Sequence, residues 1–223
     1  MIKIIYKNKD FAVIEKPFGA LSQRDASGQD GLVELLSAQL KCTVYPVHRL
    51  DRPVGGVMVY ALTKQAAALL STPDAFGKTY LAVLSGMADE FPITGELIDY
   101  LYKDSAKSKS FVVKSERKGA KQARLAYEVI KSVPTDHGKL SLIKVRLYTG
   151  RTHQIRVQFS SRGMPLVGDG KYGSRIKSES IALWSHRIEL SPKIAAALRS
   201  ERTSFELLPT EDGFFGLFEN ENK

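Results

Sequence analysis

The sequence predicts an α+β fold: a mainly antiparallel, mixed central sheet with flanking helices. Three observations lead there. Strand-like runs outnumber helical ones along the 223 residues. The helices interrupt them without the regular strand–helix alternation of a doubly wound parallel sheet. No repeat of roughly 20–50 residues is visible, which argues against a solenoid or propeller.

Taken in order, residues 2–6 and 11–16 are short strand-like runs parted by the turn-prone Asn8-Lys9-Asp10. Lys16-Pro17-Phe18-Gly19 breaks the second run. Leu32, Leu35, Leu36 and Leu40 recur at helical spacing, so residues 31–40 form an amphipathic helix. Residues 43–47 and 56–61 read as strands around the polar loop His48-Arg49-Leu50-Asp51-Arg52-Pro53. The Ala/Leu-rich stretch 64–70 is helical and 78–84 is a strand. Leu125, Tyr127 and Val129 alternate with Ala126, Glu128 and Ile130, and residues 140–148 make a second long strand. Residues 152–162 read as a helix with Ile155 and Phe159 stacked one turn apart. Residues 181–190 and 203–208 are strands around a short helix near 193–198. No linker divides the chain, so residues 1–223 are expected to form a single domain.

Composition bounds the rest. With 43% hydrophobic and 26% charged residues the chain is of the ordinary globular class. Its lone cysteine, Cys42, has no disulfide partner and no metal-ligand spacing, and is expected to be a small buried hydrophobe. The four histidines His48, His137, His153 and His186 are scattered, so no metal site is expected. No segment is long and apolar enough to span a bilayer, and residues 1–6 lack a signal-peptide core, so the cytoplasm is the expected location. A net charge of +9 suits a polyanionic partner, of which nucleic acid is the commonest. Residues 103–124 form a loop-like basic stretch, and its Lys118, Lys121 and Arg124 are candidate phosphate contacts.

Two stretches carry candidate chemistry. Asp51 lies in a loop between two buried strands, flanked by Arg49 and Arg52. A nearby arginine keeps a carboxylate ionised when substrate excludes water. The second stretch is Gly150-Arg151-Thr152-His153-Gln154-Ile155-Arg156. Arg151 and Arg156 stand five apart, so on a helix starting near Thr152 they project from different faces, one suited to a buried carboxylate and one to phosphate. His48 and His153 read as structural residues that bond loop backbone.

Those motifs, with Lys78-Thr79-Tyr80 between them, resemble the RluA-type RNA pseudouridine synthase family. Further likenesses follow in order: Lys16-Pro17-Phe18-Gly19, the segment 163–169, Lys171-Tyr172-Gly173, Leu183-Trp184-Ser185-His186-Arg187 and Phe205-Glu206. The match spans about residues 10–208. It implies a pseudouridine synthase fold and an enzyme that isomerises a uridine of structured RNA, ribosomal or transfer, without cofactor. It implies Asp51 as the catalytic carboxylate, Tyr80 against the target base, and Arg156 as the partner of the aspartate. Arg49 is similar to a residue that fills the gap left by the flipped base. Arg52, Arg151, Lys118, Lys121 and Arg124 would hold RNA. Two features are noted against the family: Val54-Gly55-Gly56 replaces a common Thr-Ser-Gly, and the S4 RNA-binding domain found in some relatives is not expected ahead of the catalytic one.

The residue types suit the chemistry. The target base must leave its stack. An ionised carboxylate then acts as nucleophile toward the ribose or as base in an elimination, and the sequence favours neither. Tyr80 offers a flat ring with a hydroxyl at one edge. A non-catalytic RNA-binding module shares the basic surface but gives Asp51 no role. A glycoside hydrolase needs two acidic groups where one stands out. A monomer is the expected state.

Overall fold

The computed structural model describes residues 1–210 and 213–218. The chain forms two compact units. The first comprises Met1–Lys78 and Trp184–Pro209, and the second Thr79–Leu183 with the C-terminal segment from Thr210.

In the first unit, β1 (Ile4–Lys7) pairs antiparallel with β2 (Phe11–Lys16), and β2 pairs antiparallel with β4 (Gly55–Ala61). β4 is flanked by the two-residue β3 (Tyr45–Pro46), antiparallel, and by β10 (Leu183–Leu190), parallel; β11 (Ser204–Glu206) closes on β10. Every residue of β4 is buried, as the unbroken apolar run Val57–Ala61 requires of a central strand. Its period-two alternation sends Val57, Val59 and Ala61 to one face with Phe11 and Val13. There they pack against Ala66 and Leu70 of α2 (Lys64–Leu70) and Ile194, Ala195 and Leu198 at α4 (Pro192–Ala197).

Helix ends follow local chemistry. α1 (Leu32–Leu40) starts where Glu34 reaches back to accept the Gly31 N–H, and stops at Lys41 in the left-handed region, φ 54°. Thr63 caps α2 by accepting the Ala66 N–H. Pro192 opens α4 at a position where its missing N–H costs nothing.

The second unit is a sheet in the order β5-β9-β8-β6-β7. Its strands are β5 (Phe76–Ser85, which begins in the first unit), β6 (Thr94–Asp104), β7 (Lys109–Val113), β8 (Ala120–Thr135) and β9 (Gly138–Leu147). The pairings β6 with β7, β6 with β8 and β8 with β9 are all antiparallel. α3 (Gln154–Ser160) packs on one face: Val157 meets Leu101, Ala123 and Tyr172, and Phe159 meets Tyr127 edge-on.

Three expectations change here. Residues 103–124 are mostly strand, not loop: they hold the end of β6, all of β7 and the start of β8. The strand expected at 43–47 shrinks to Tyr45–Pro46. Cys42 is exposed, one residue past the end cap of α1, where nothing folds over it. The mainly antiparallel α+β class stands. Among the described residues no helix is long and apolar enough to cross a membrane.

Candidate active site

The loop that carries Asp51 is pinned on both sides. On one side, the Ser22 hydroxyl donates to the Leu50 carbonyl at 2.8 Å and accepts the Leu50 N–H at 3.2 Å. On the other, the fully buried Lys16 ammonium donates to the carbonyls of Val54 at 2.7 Å and of Pro17 and Arg52 at 3.1 Å. Three N–H bonds thus meet three acceptors, the full capacity of the group. Backbone contacts add to this: the Gly19 N–H donates to the Arg52 carbonyl and the Val54 N–H to the Asp51 carbonyl. Burial lowers the Lys16 pKa to about 8, while the Asp51 carboxylate pulls it upward. Asp51 therefore lies within the field of a buried cation that also holds its loop. Asp51 is half-buried; Arg49 and Arg52 are exposed, and the Arg52 Nε–H donates to the Gly19 carbonyl.

Behind this loop, the Nε2 of His48 accepts the Val59 N–H at 3.0 Å, bonding the backbone of β4 and not that of the loop. The ring must then be neutral with its proton on Nδ1. Burial, aided by Lys78, holds its pKa down at about 3. The ring edge meets Phe76, over which the Lys78 ammonium sits.

The glycines after Asp51 have a spatial reason. A Cβ on Gly55 would strike the buried ring of Trp184, whose Nε1–H donates to the Leu207 carbonyl. Gly56 has φ +116°, and a Cβ there would collide with the Ser185 backbone. The sequence Val54-Gly55-Gly56 lets β10 approach directly behind the loop.

In the second unit, Arg156 on α3 is 5% exposed and Asp169 is 1% exposed. They form a bidentate pair, Nε to Oδ2 at 2.6 Å and Nη2 to Oδ1 at 2.9 Å. The guanidinium also lies over the Tyr172 ring at 5.0 Å. The Tyr172 hydroxyl accepts the Ser110 N–H at 2.8 Å and bonds His153 Nδ1 at 2.8 Å. Burial raises the Tyr172 pKa. His153 thus bonds the Tyr172 side chain through Nδ1.

α3 begins at Gln154, not Thr152, because His153 takes the left-handed conformation at φ 55°. Arg151 therefore lies outside the helix, exposed, with its Nε–H donating to the Gln122 carbonyl. Gln154 ties the turn together. Its Oε1 accepts from the Thr149 hydroxyl and the Arg151 N–H, and its amide donates to the Arg124 carbonyl. Tyr80 is buried on β5 in this unit. Lys118 and Lys121 are exposed. Arg124 forms a bidentate pair with Glu96 at 2.8 and 3.0 Å, so it is less available to phosphate than its sequence context implied.

The structure thus gathers Arg49, Asp51 and Arg52 on one loop of the first unit, and places Tyr80, Arg124, Arg151 and Arg156 with Lys118 and Lys121 in the second. Sequence reasoning gave no role to Lys16, Ser22, Gln154 or Asp169. Of these, Lys16, Gln154 and Asp169 lay inside recognised motifs, which was their only signal. Among the described residues no cluster of His, Cys, Asp or Glu is arranged to hold a metal ion.

Comparison with known proteins agrees with the motifs. Residues 10–161 match the model of a family described as RNA pseudouridylate synthase. The chain is 31% identical over 186 residues to tRNA pseudouridine synthase C of Vibrio vulnificus, covering 78% of this chain and 74% of that protein. To the protein of the same name from Haemophilus ducreyi it is 34% identical over 188 residues, covering 77% and 74%. In fold it is similar to Human RNA Pseudouridylate Synthase Domain Containing 1, with a TM-score of 0.70 at 21% identity over 97% of this chain and 93% of that one. With motifs, sheet and sequence relatives in agreement, the chain belongs to the RNA pseudouridylate synthase family of isomerases.

Proposed function

We propose that this enzyme converts a uridine of structured RNA to pseudouridine, with Asp51 as its catalytic carboxylate and transfer RNA as its first candidate substrate. The observation that carries the reading is the loop. Asp51 is presented from a segment held at Leu50 by Ser22 and at Arg52 and Val54 by the buried Lys16. Pre-ordering of this kind is what a reacting group requires, since small misplacements cost rate steeply. Either chemical route, attack on the ribose or proton abstraction, needs the carboxylate ionised and aimed. The likeness to the family assigns Tyr80 to the target base and Arg156 to partnering the catalytic carboxylate. Lys118 and Lys121 contribute charge to RNA phosphates. The choice of transfer RNA rests on the names of relatives at 31% and 34% identity; ribosomal RNA is the second candidate.

Release of tritium from RNA carrying 5-tritiated uridine tests the reading. Joining the uracil to ribose through carbon 5 expels the label to water. The wild-type protein is expected to release tritium from transfer RNA. Free uracil without tritiated water would indicate a glycosidase, and stable binding without either product a non-catalytic RNA-binding module.

A further inference from the structure

We infer that the outer face of the second unit's sheet, opposite α3, is a binding platform for single-stranded RNA; this rests on the RNA-modifying function proposed above. The face follows from register. Leu101 pairs with Val112 and Leu125 with Leu147, and these look toward the core. Residues one step along each strand must look away from it. Tyr102 and Phe111 are paired across β6 and β7 and share that outer face. Tyr148, just past β9, is 43% exposed, and Ile98, paired with Arg124, is 54% exposed.

Solvent-facing sheet surfaces ordinarily carry polar chains. Here each ring has a cation near it. The Arg117 guanidinium is 4.7 Å from the Tyr102 ring centre, and the Lys109 ammonium, 5.0 Å from the core-side Tyr172 ring, also comes within 5.7 Å of that of Phe111. Tyr148 has Arg124 at 4.5 Å and Arg146 at 5.7 Å. Glu96 fixes the Arg124 guanidinium in place. A ring with a cation near it suits a ligand that alternates a flat base with a phosphate. The base stacks on the ring or on the guanidinium plane, as on that of the Glu96-held Arg124, and an adjoining charge such as Arg117 or Arg146 takes the phosphate. Among macromolecular partners, unpaired RNA combines both features. An apolar protein surface would leave the cations desolvated and unpaired.

The test is the affinity of the full-length protein for a fluorescein-labelled oligouridylate, measured by anisotropy across a salt series. Each ring removed, as in Tyr102→Thr, Phe111→Thr or Tyr148→Thr, is expected to weaken binding by roughly five- to hundredfold. The slope of log affinity against log salt should stay unchanged, since no charge is removed. Tyr102→Phe and Tyr148→Phe keep the rings and should bind like wild type, which separates stacking from misfolding. Wild-type affinity in the triple variant overturns the inference. So does a loss of self-association in sedimentation with RNA affinity untouched, which would make the face a protein interface. Tritium release separates this from the proposed function. A wild-type protein that binds through these rings but releases no tritium sinks the enzymatic reading alone. One that releases tritium, with ring variants that bind normally, sinks the platform alone.

Discussion

Lys16→Met separates stability from catalysis. In the wild type the ammonium is fully buried, and lowering its pKa from 10.5 to about 8 corresponds to about 3 kcal/mol against keeping it charged. Methionine of similar length removes that cost. It also strips donors from three carbonyls, but the Arg52 carbonyl keeps the Gly19 N–H and the Pro17 carbonyl keeps a long hydrogen bond from the Ala20 N–H. The Val54 carbonyl is left to bear most of the loss, about 1–3 kcal/mol for an unsatisfied buried group. The two effects nearly cancel, so the variant should match wild-type stability at pH 7 within about 2 kcal/mol. Activity should nonetheless fall steeply, because the Asp51 loop loses its anchor and its neighbouring charge. A second signature lies in pH. Between pH 8 and 10.5 the unfolded chain holds more protons on residue 16 than the folded one, so raising the pH through this window stabilises the wild type by up to about 3 kcal/mol. The variant lacks that gain. Over the same rise, wild-type turnover should decline, since a neutral amine donates two N–H bonds where three are used. Urea unfolding of both proteins from pH 7 to 10.5, with initial rates at each pH, measures all of this. Wild-type activity in Lys16→Met, or parallel stability–pH curves, would refute the reasoning.

Other outcomes follow from the same structure. Asp169→Asn removes the charge of the bidentate carboxylate from the buried Arg156 and should destabilise the protein by up to about 3–5 kcal/mol in urea, with part of it recovered when both residues are replaced by apolar ones. His48 is held neutral with a pKa of about 3, so wild-type stability should fall as pH drops below 6.5 while His48→Gln shows a shallower acid limb. Gly56→Ala should cost several kcal/mol, about the range of severe substitutions, and lower the midpoint of thermal unfolding, because its Cβ meets the Ser185 backbone. Replacing Lys118 and Lys121 with Gln should weaken RNA binding without changing the uridine modified, and should flatten the salt slope by about 0.7–0.9 for every phosphate that is no longer neutralised.

What the sequence made legible follows the strength of local periodicity. α2 and β2 fall on their expected residues, and α1 and β4 within one, because their apolar spacing is dense and unambiguous. β6 and β7 were hidden. β6 carries Ile98, Tyr100 and Tyr102 on its outer face as well as Leu97 and Leu101 inside, so its alternation is blurred. β7 is an edge strand bordered by lysines, which blunt an edge and read as loop. At the site, the motifs exposed Asp51 and Arg156, but their supports were not readable. Lys16 acts on carbonyls 36 and 38 residues away, and Gln154 on one 30 residues away. Long-range hydrogen bonds leave no periodic trace. The left-handed turn at His153 likewise shifted the start of α3, since nothing in Thr152-His153 announces it.

The most direct test compares purified wild type with Asp51→Asn on transfer RNA carrying 5-tritiated uridine, with RNA affinity measured on the same preparations. Asparagine keeps the shape of the side chain and removes its charge, so the loop held by Ser22 and Lys16 should persist. Tritium release by the wild type, none by the variant, and affinities within about threefold of each other are the predicted result. Equal release by the two proteins would contradict a catalytic role for Asp51.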